Sequence, residues 1–140
     1  MKAKWISELA STMNVDFMSI QEHLKKNIGN FFHDKFPGFT SNVVPGVRAP
    51  DQDVGRPMGG LAQLVSNKYQ ITSSRIATKS FRVQAQILKL QHVSLLWINS
   101  YSPTDPQTVT FDDTELLELL SEVDNILELE EYDHEIWNGD

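Results

Sequence analysis

Two carboxylates in this chain sit where strands end. Val15-Asp16-Phe17-Met18-Ser19-Ile20-Gln21 reads as a buried strand finishing on Glu22, and a short apolar strand, Ile136-Trp137, leads through Asn138-Gly139 to Asp140, the last residue. Sheets present binding groups at the carboxyl ends of strands. Two acids so placed point to a metal or acid/base site. Glu22 is a hard oxygen ligand suited to Mg²⁺, which keeps several waters and takes only one or two protein carboxylates. Taken alone, a Glu at this position is more often solvated or caps the following helix. Asn99-Ser100-Tyr101-Ser102-Pro103 adds an amide and a phenol, both able to bond a phosphate oxygen. By itself that stretch is better read as a strand-to-turn transition punctuated by Pro103 and Pro106. Gly59-Gly60 before Leu61 allows close backbone approach, and turn chemistry explains it equally well.

Several elements must position these residues. Trp5, Ile6, Leu9, Ala10 and Met13 share one helical face, so residues 2–13 are expected to form an amphipathic helix. Leu24, Ile28, Phe31 and Phe32 repeat at helical steps, which predicts a second helix over about residues 23–34, ended near Pro37-Gly38. Residues 39–44 read as a strand, and 45–57 as a long surface loop rich in Gly, Pro and Asp. Strand-like runs follow at 60–66, 69–76, 80–90 and 93–99. Phe81, Val83, Ala85 and Ile87 alternate with Arg82, Gln84 and Gln86, as in an antiparallel strand with one polar face. Val93 to Ile98 is almost continuously apolar, as expected of a central strand buried on both faces. A last helix begins at Asp112, with Glu115 at capping-box spacing and Leu116, Leu119, Leu120, Val123, Ile126 and Leu127 as its buried stripe. The order of elements is that of an α/β sheet layered by helices.

Composition bounds the function. The 140 residues allow one domain at most, residues 1–140. With no cysteine, disulfides, thiolate metal sites and a cysteine nucleophile are excluded. The apolar run that should follow Met1-Lys2-Ala3-Lys4 in a signal peptide is broken by Ser7, Glu8, Ser11 and Thr12, and no membrane span is visible, so an intracellular location, nuclear or cytoplasmic, is expected. Residues 112–140 hold twelve Asp and Glu with no Lys or Arg, against a net charge of −7 for the whole chain. That balance argues against tight non-specific binding of nucleic acid by the chain alone. The mild positive surplus before residue 112, including Arg48, Arg56, Arg75, Lys79 and Arg82, leaves room for a local basic face.

Four segments taken together, Asp16 to Glu22, Gly59-Gly60-Leu61-Ala62, Ile98 to Pro103 and Trp137-Asn138-Gly139-Asp140, resemble the endonuclease/exonuclease/phosphatase superfamily in order and spacing. Within it they most resemble the endonuclease domains of non-LTR retrotransposons. The resemblance implies a four-layer α/β/β/α sandwich with mainly antiparallel mixed sheets, and Mg²⁺- or Mn²⁺-dependent cleavage of a DNA phosphodiester by an activated water. Carried over residue by residue, Glu22 would hold the metal, Asp140 would orient or deprotonate the water, and Tyr101 would bond a phosphate oxygen, with Asn99 a weaker neighbouring candidate. His23 stands where family members often have Thr and receives no role. His33, His92 and His134 match no motif and read as surface or turn residues.

The chain departs from the family by starting at the helix after the first strand and by lacking the downstream Asn, Asp and His. The expectation is therefore a partial domain truncated at both ends, inactive alone, with an uncovered sheet through which it could associate. Two other readings stand beside it. One is a non-catalytic module whose acidic 112–131 helix binds a basic partner; the other is a lipid or inositol phosphatase of the same superfamily.

Overall fold

A computed structural model describes residues 2–48, 57–102 and 114–139. Ten elements run in the order α1 (Ala3–Thr12), β1 (Phe17–Gln21), α2 (Phe31–Lys35), β2 (Phe39–Val44), β3 (Leu61–Ser66), β4 (Thr72–Ile76), β5 (Val83–Leu90), β6 (Val93–Ser100), α3 (Thr114–Leu129) and β7 (His134–Gly139). The strands form two sheets, ordered β1-β3-β2 and β4-β5-β6-β7. All pairings are antiparallel except β6 with β7, which is parallel and places Ser100 opposite Gly139.

Alternation along the strands dictates the layers, because successive side chains point to opposite faces. Ala62 and Leu64 of β3, with Met18 and Ile20 of β1, meet Ala3 and Ile6 of α1, Phe32 of α2 and Phe36 just after it. Val83 and Ala85 of β5, with Leu96 and Ile98 of β6, meet Leu119, Val123 and Ile126 of α3. The two sheets face each other through the remaining set, and the result is the expected four-layer α/β/β/α sandwich.

The inner layer is where the strand reading needs correction. The polar face of β5 does not meet water: Gln84 and Gln86 are each only 2% exposed. They lie between the sheets with Asn42, Gln63 and Asn99. Gln63 Nε2 donates to the Trp97 carbonyl at 3.0 Å, Gln84 Nε2 to the Asn42 carbonyl at 2.6 Å, and Asn42 Nδ2 to Gln63 Oε1 at 3.4 Å. Such burial is tolerable because buried amides cost little once bonded. At one side of this layer Val65, Leu88 and Trp97 supply an apolar patch against Phe17.

Two helices also differ from expectation. The helix foreseen over 23–34 shrinks to Phe31–Lys35, because Glu22 and Leu24 adopt left-handed φ of 52° and 60°, and their neighbourhood bonds across to β3 rather than along a helix. In α1 the side turned inward is Ala3, Ile6 and Ala10, while Trp5, Leu9 and Met13 stay exposed. Beside Phe32 and Phe36, α1 contacts this core through Ala3 and Ile6. The acidic residues of α3 lie mostly outward as read, although Glu122 turns back to accept amide hydrogens from Lys79 and Ser80. Asp112 lies outside the described residues. At the other edge β7 leaves Ile136 and Trp137 about half exposed.

Candidate functional site

The strand ends foreseen as the site come together at one edge of the sandwich. β1 runs out at Gln21 opposite Leu61, and β6 runs out at Ser100. Beyond Gln21 the chain hooks onto the start of β3: the His23 amide donates to the Gly60 carbonyl at 3.3 Å, and the Leu24 amide to the Gly59 carbonyl at 2.9 Å. Those two bonds force the left-handed turn at Glu22 and Leu24. A non-glycine residue in that region costs on the order of 1–3 kcal/mol and persists only where surroundings impose it. Glu22 itself is solvent-exposed.

Gly59 and Gly60 are required by close approach as well as by their φ of 68° and 97°. A Cβ on Gly59 would collide with the Tyr101 hydroxyl, and one on Gly60 with the His23 ring. Both explanations open for this pair in the sequence, close backbone approach and a turn that needs positive φ, are observed together.

Tyr101 follows β6, and its amide continues the ladder by donating to the Arg82 carbonyl at 3.1 Å. The residue is 5% exposed, and its hydroxyl is buried with no hydrogen-bond partner among the described residues. The Arg82 guanidinium stacks over the ring at 4.8 Å and bonds Glu115 at 3.1 Å. Burial pushes the Tyr101 phenol above its ordinary pKa; Arg82 pulls it down, and the nearby Glu22 and Glu115 carboxylates push it further up. The phenol is therefore a neutral donor at physiological pH. An unpaired buried hydroxyl costs about 1–3 kcal/mol, a cost that an acceptor brought within bonding distance would offset.

Asn99 sits beneath, fully buried at the centre of the layer between the sheets. Its Nδ2 lies within bonding distance of the Ile20 carbonyl at 3.3 Å, the Ala62 carbonyl at 3.2 Å and Gln84 Oε1 at 3.4 Å. Its Oδ1 accepts from Gln21 Nε2 at 2.5 Å. One amide thus ties β6 to β1, β3 and β5, and fixes the residue immediately before Glu22. Asn138 of β7 does comparable work, its Oδ1 accepting from Ser19 Oγ at 2.9 Å and Trp97 Nε1 at 3.0 Å.

His23 was given no role by the sequence, yet it is 2% exposed and holds the hook in place. Nε2 lies 3.0 Å from the Val44 carbonyl and Nδ1 accepts the Lys25 amide at 3.0 Å, which fixes the neutral tautomer with the proton on Nε2. Phe32 packs edge-on against the ring at 5.2 Å. Burial lowers its pKa below the usual value, outweighing the backbone bonds that raise it. The adjacent Gly-Gly pair was the available signal, since only a missing Cβ lets a ring lie that close. Glu22, Tyr101 and Asn99 are thus brought to one end, whereas Asp140 lies outside the described residues. Among the described residues, no group of three or more His, Cys, Asp or Glu is placed to hold a metal ion, and no helix is long and apolar enough to cross a membrane.

No protein-family profile and no curated protein matches the chain. Solved structures do. A D. rerio TDP2 carrying 14 humanising mutations is similar with a TM-score of 0.65 at 16% identity, over 99% of this chain and 54% of that one. A D. rerio TDP2 complexed with a single-strand DNA product gives the same TM-score and identity, over 99% and 52%. The human Nocturnin catalytic domain with bound sulfate gives 0.59 at 17% identity, over 91% and 52%. TDP2 and Nocturnin are members of the endonuclease/exonuclease/phosphatase superfamily. This chain has that superfamily's fold. It spans about half the length of the chains it matches.

Proposed function

We propose that this chain carries the phosphate-binding side of a Mg²⁺-dependent phosphodiesterase site whose substrate is DNA, of the type found in non-LTR retrotransposon endonucleases. The observation that carries the reading is the Tyr101 hydroxyl: buried, unpartnered, protonated, and close enough to feel Glu22. The left-handed backbone at Glu22 supports it, since strain of that kind collects at functional sites. The DNA product bound to a TDP2 and the sulfate bound to Nocturnin, both of similar fold, agree with a phosphate-handling site. The retrotransposon type rests on the order of the four sequence segments.

In this reading the exposed Glu22 carboxylate would hold the metal, which suits Mg²⁺ as an ion that takes only one or two protein carboxylates. When bound, the ion neutralises charge on the scissile phosphate. Tyr101 donates its hydroxyl proton to a phosphate oxygen. Asn99 is a positioning residue, because its amide is spent on Gln21 and the neighbouring strands. Asp140 is assigned the water-activating role, worth about 10²–10⁴ in rate.

Mg²⁺-dependent nicking of supercoiled plasmid tests the proposal, run on the 140 residues and on a longer chain containing them. Glu22→Gln is expected to lower nicking at least ~100-fold and Tyr101→Phe ~10-fold or more. Wild-type rates in both variants would sink the idea. A second reading is favoured by Leu117, Leu120 and Leu129, which α3 exposes at 58%, 43% and 80% among its acidic residues. It treats α3 as a docking face for a basic partner; charge reversal at Glu118 and Glu128 would then abolish binding while Glu22→Ala changed nothing.

A further inference from the structure

Away from the Glu22 and Tyr101 end, the layer between the sheets opens into a second polar space. It lies between the edge strands β2 and β4, has a volume of about 90 Å³, and is lined by Thr40, Ser41, Asn42, Ser73, Arg75 and Gln86 among others. One water needs only about 10–15 Å³ of such space, so the volume admits a larger guest. Register explains the lining. Arg75 pairs with Gln86, and Ser73 with Leu88, so these side chains share one face of their sheet; Gln84, two residues from Gln86, reaches the opposite sheet from that same face. Across the gap, Thr40 pairs with Val65 and Asn42 with Gln63.

Three features define what would fit. Arg75 is the charged residue of the lining, and no Asp or Glu is among the lining residues. Gln86, 2% exposed, has a buried Nε2 with no partner among the described residues. The Ser73 hydroxyl can turn a proton toward a guest, while the Thr40 hydroxyl already donates to Asn67 Oδ1 at 2.5 Å. Positive charge with convergent donors and no competing carboxylate selects an anion with several acceptor oxygens. We propose that this cavity binds a tetrahedral oxyanion, phosphate or sulfate, at a site separate from that of Glu22 and Tyr101.

Thermal unfolding of the full chain, titrated with inorganic phosphate against chloride at constant ionic strength, tests it. Wild type is expected to gain about 3–5 °C per tenfold phosphate beyond half-saturation. Arg75→Gln and Gln86→Leu should both lose that gain, and Tyr101→Phe should keep it. Arg75 is exposed and makes one 3.3 Å bond to the Ser41 carbonyl, so its variant is expected to stay folded. Gln86→Leu removes an unpaired donor and should melt no lower than wild type in chloride. A single-stranded oligonucleotide at matched phosphate concentration separates the sources: an Arg75-dependent gain assigns a chain phosphate, and its absence beside a gain with free phosphate assigns the free anion. No gain over chloride in wild type, or a gain that survives Arg75→Gln and disappears in Tyr101→Phe, overturns the proposal.

Discussion

The outer and inner faces of the same strands are built from different chemistry. On the outer faces Leu64, Leu96 and Ile98 are fully buried against helices, where apolar area does the work at roughly 25 cal/mol per Å². On the inner faces Gln63, Gln84, Gln86 and Asn99 are just as buried, yet area contributes little there and bond direction decides everything. An apolar face tolerates sliding of a helix by a fraction of a turn. An amide layer does not, because each displaced donor becomes an unsatisfied buried group. The candidate site grows from the inner layer: Asn99 holds Gln21, and Gln21 delivers Glu22.

Predictions follow from how sharply the two faces should differ. The largest effect is expected for Asn99→Ala, which strands the Gln21 amide and two carbonyls; a loss of about 3–5 kcal/mol should show as a lowered urea midpoint. On the outer face Leu96→Ala should cost about 2–4 kcal/mol through its cavity alone. Should Asn99→Ala cost less than Leu96→Ala, the amide layer is not what fixes the sheets together.

The pH dependence probes the join between β1 and β3. The His23 pKa is lowered from 6.5 in the folded chain, so the unfolded chain binds more protons just below that value. The contribution is fully present above 6.5 and is lost as pH falls from there toward the folded value. Between pH 7 and 5 the unfolding midpoint should therefore drop, and His23→Gln, which keeps a donor and does not titrate, should flatten that part of the curve. A steep decline that persists in His23→Gln would place the sensitivity elsewhere. The smallest effect should be Gln86→Leu in the absence of phosphate, neutral or stabilising by about 1 kcal/mol, because its donor is unpaired. That sign, opposite to Asn99→Ala in the same layer, would separate satisfied from unsatisfied amides by calorimetry.

Period-two alternation made β5 legible as an antiparallel strand, and the continuous apolar run made β6 legible as a central one, although β6 is fully buried only from Leu96 on. Residues 23–30 were misread for a definite reason. Ile28 and Phe31 keep helical spacing because they pack on one apolar layer, but amide bonds from His23 and Leu24 to the two glycines hold the preceding backbone in another conformation. In α1 the pattern gave the helix but not its seat, since Ala3 and Ile6 pack beside Phe32 and Phe36 while Trp5, Leu9 and Met13 stay exposed.

The sequence by itself determined the strands, the buried Leu119, Val123 and Ile126 of α3 and the four segments from which phosphodiesterase chemistry was inferred, because periodicity and residue type are local properties. It also named Glu22, Tyr101 and Asn99. Only the tertiary structure decided that the polar face of β5 is buried, that Asn99 spends its amide on neighbouring strands, that His23 locks the Glu22 turn, and that the Tyr101 hydroxyl is left without a partner. Each of those depends on which group lies across the gap between two sheets, and residues distant along the chain become opposite one another only when the sandwich closes.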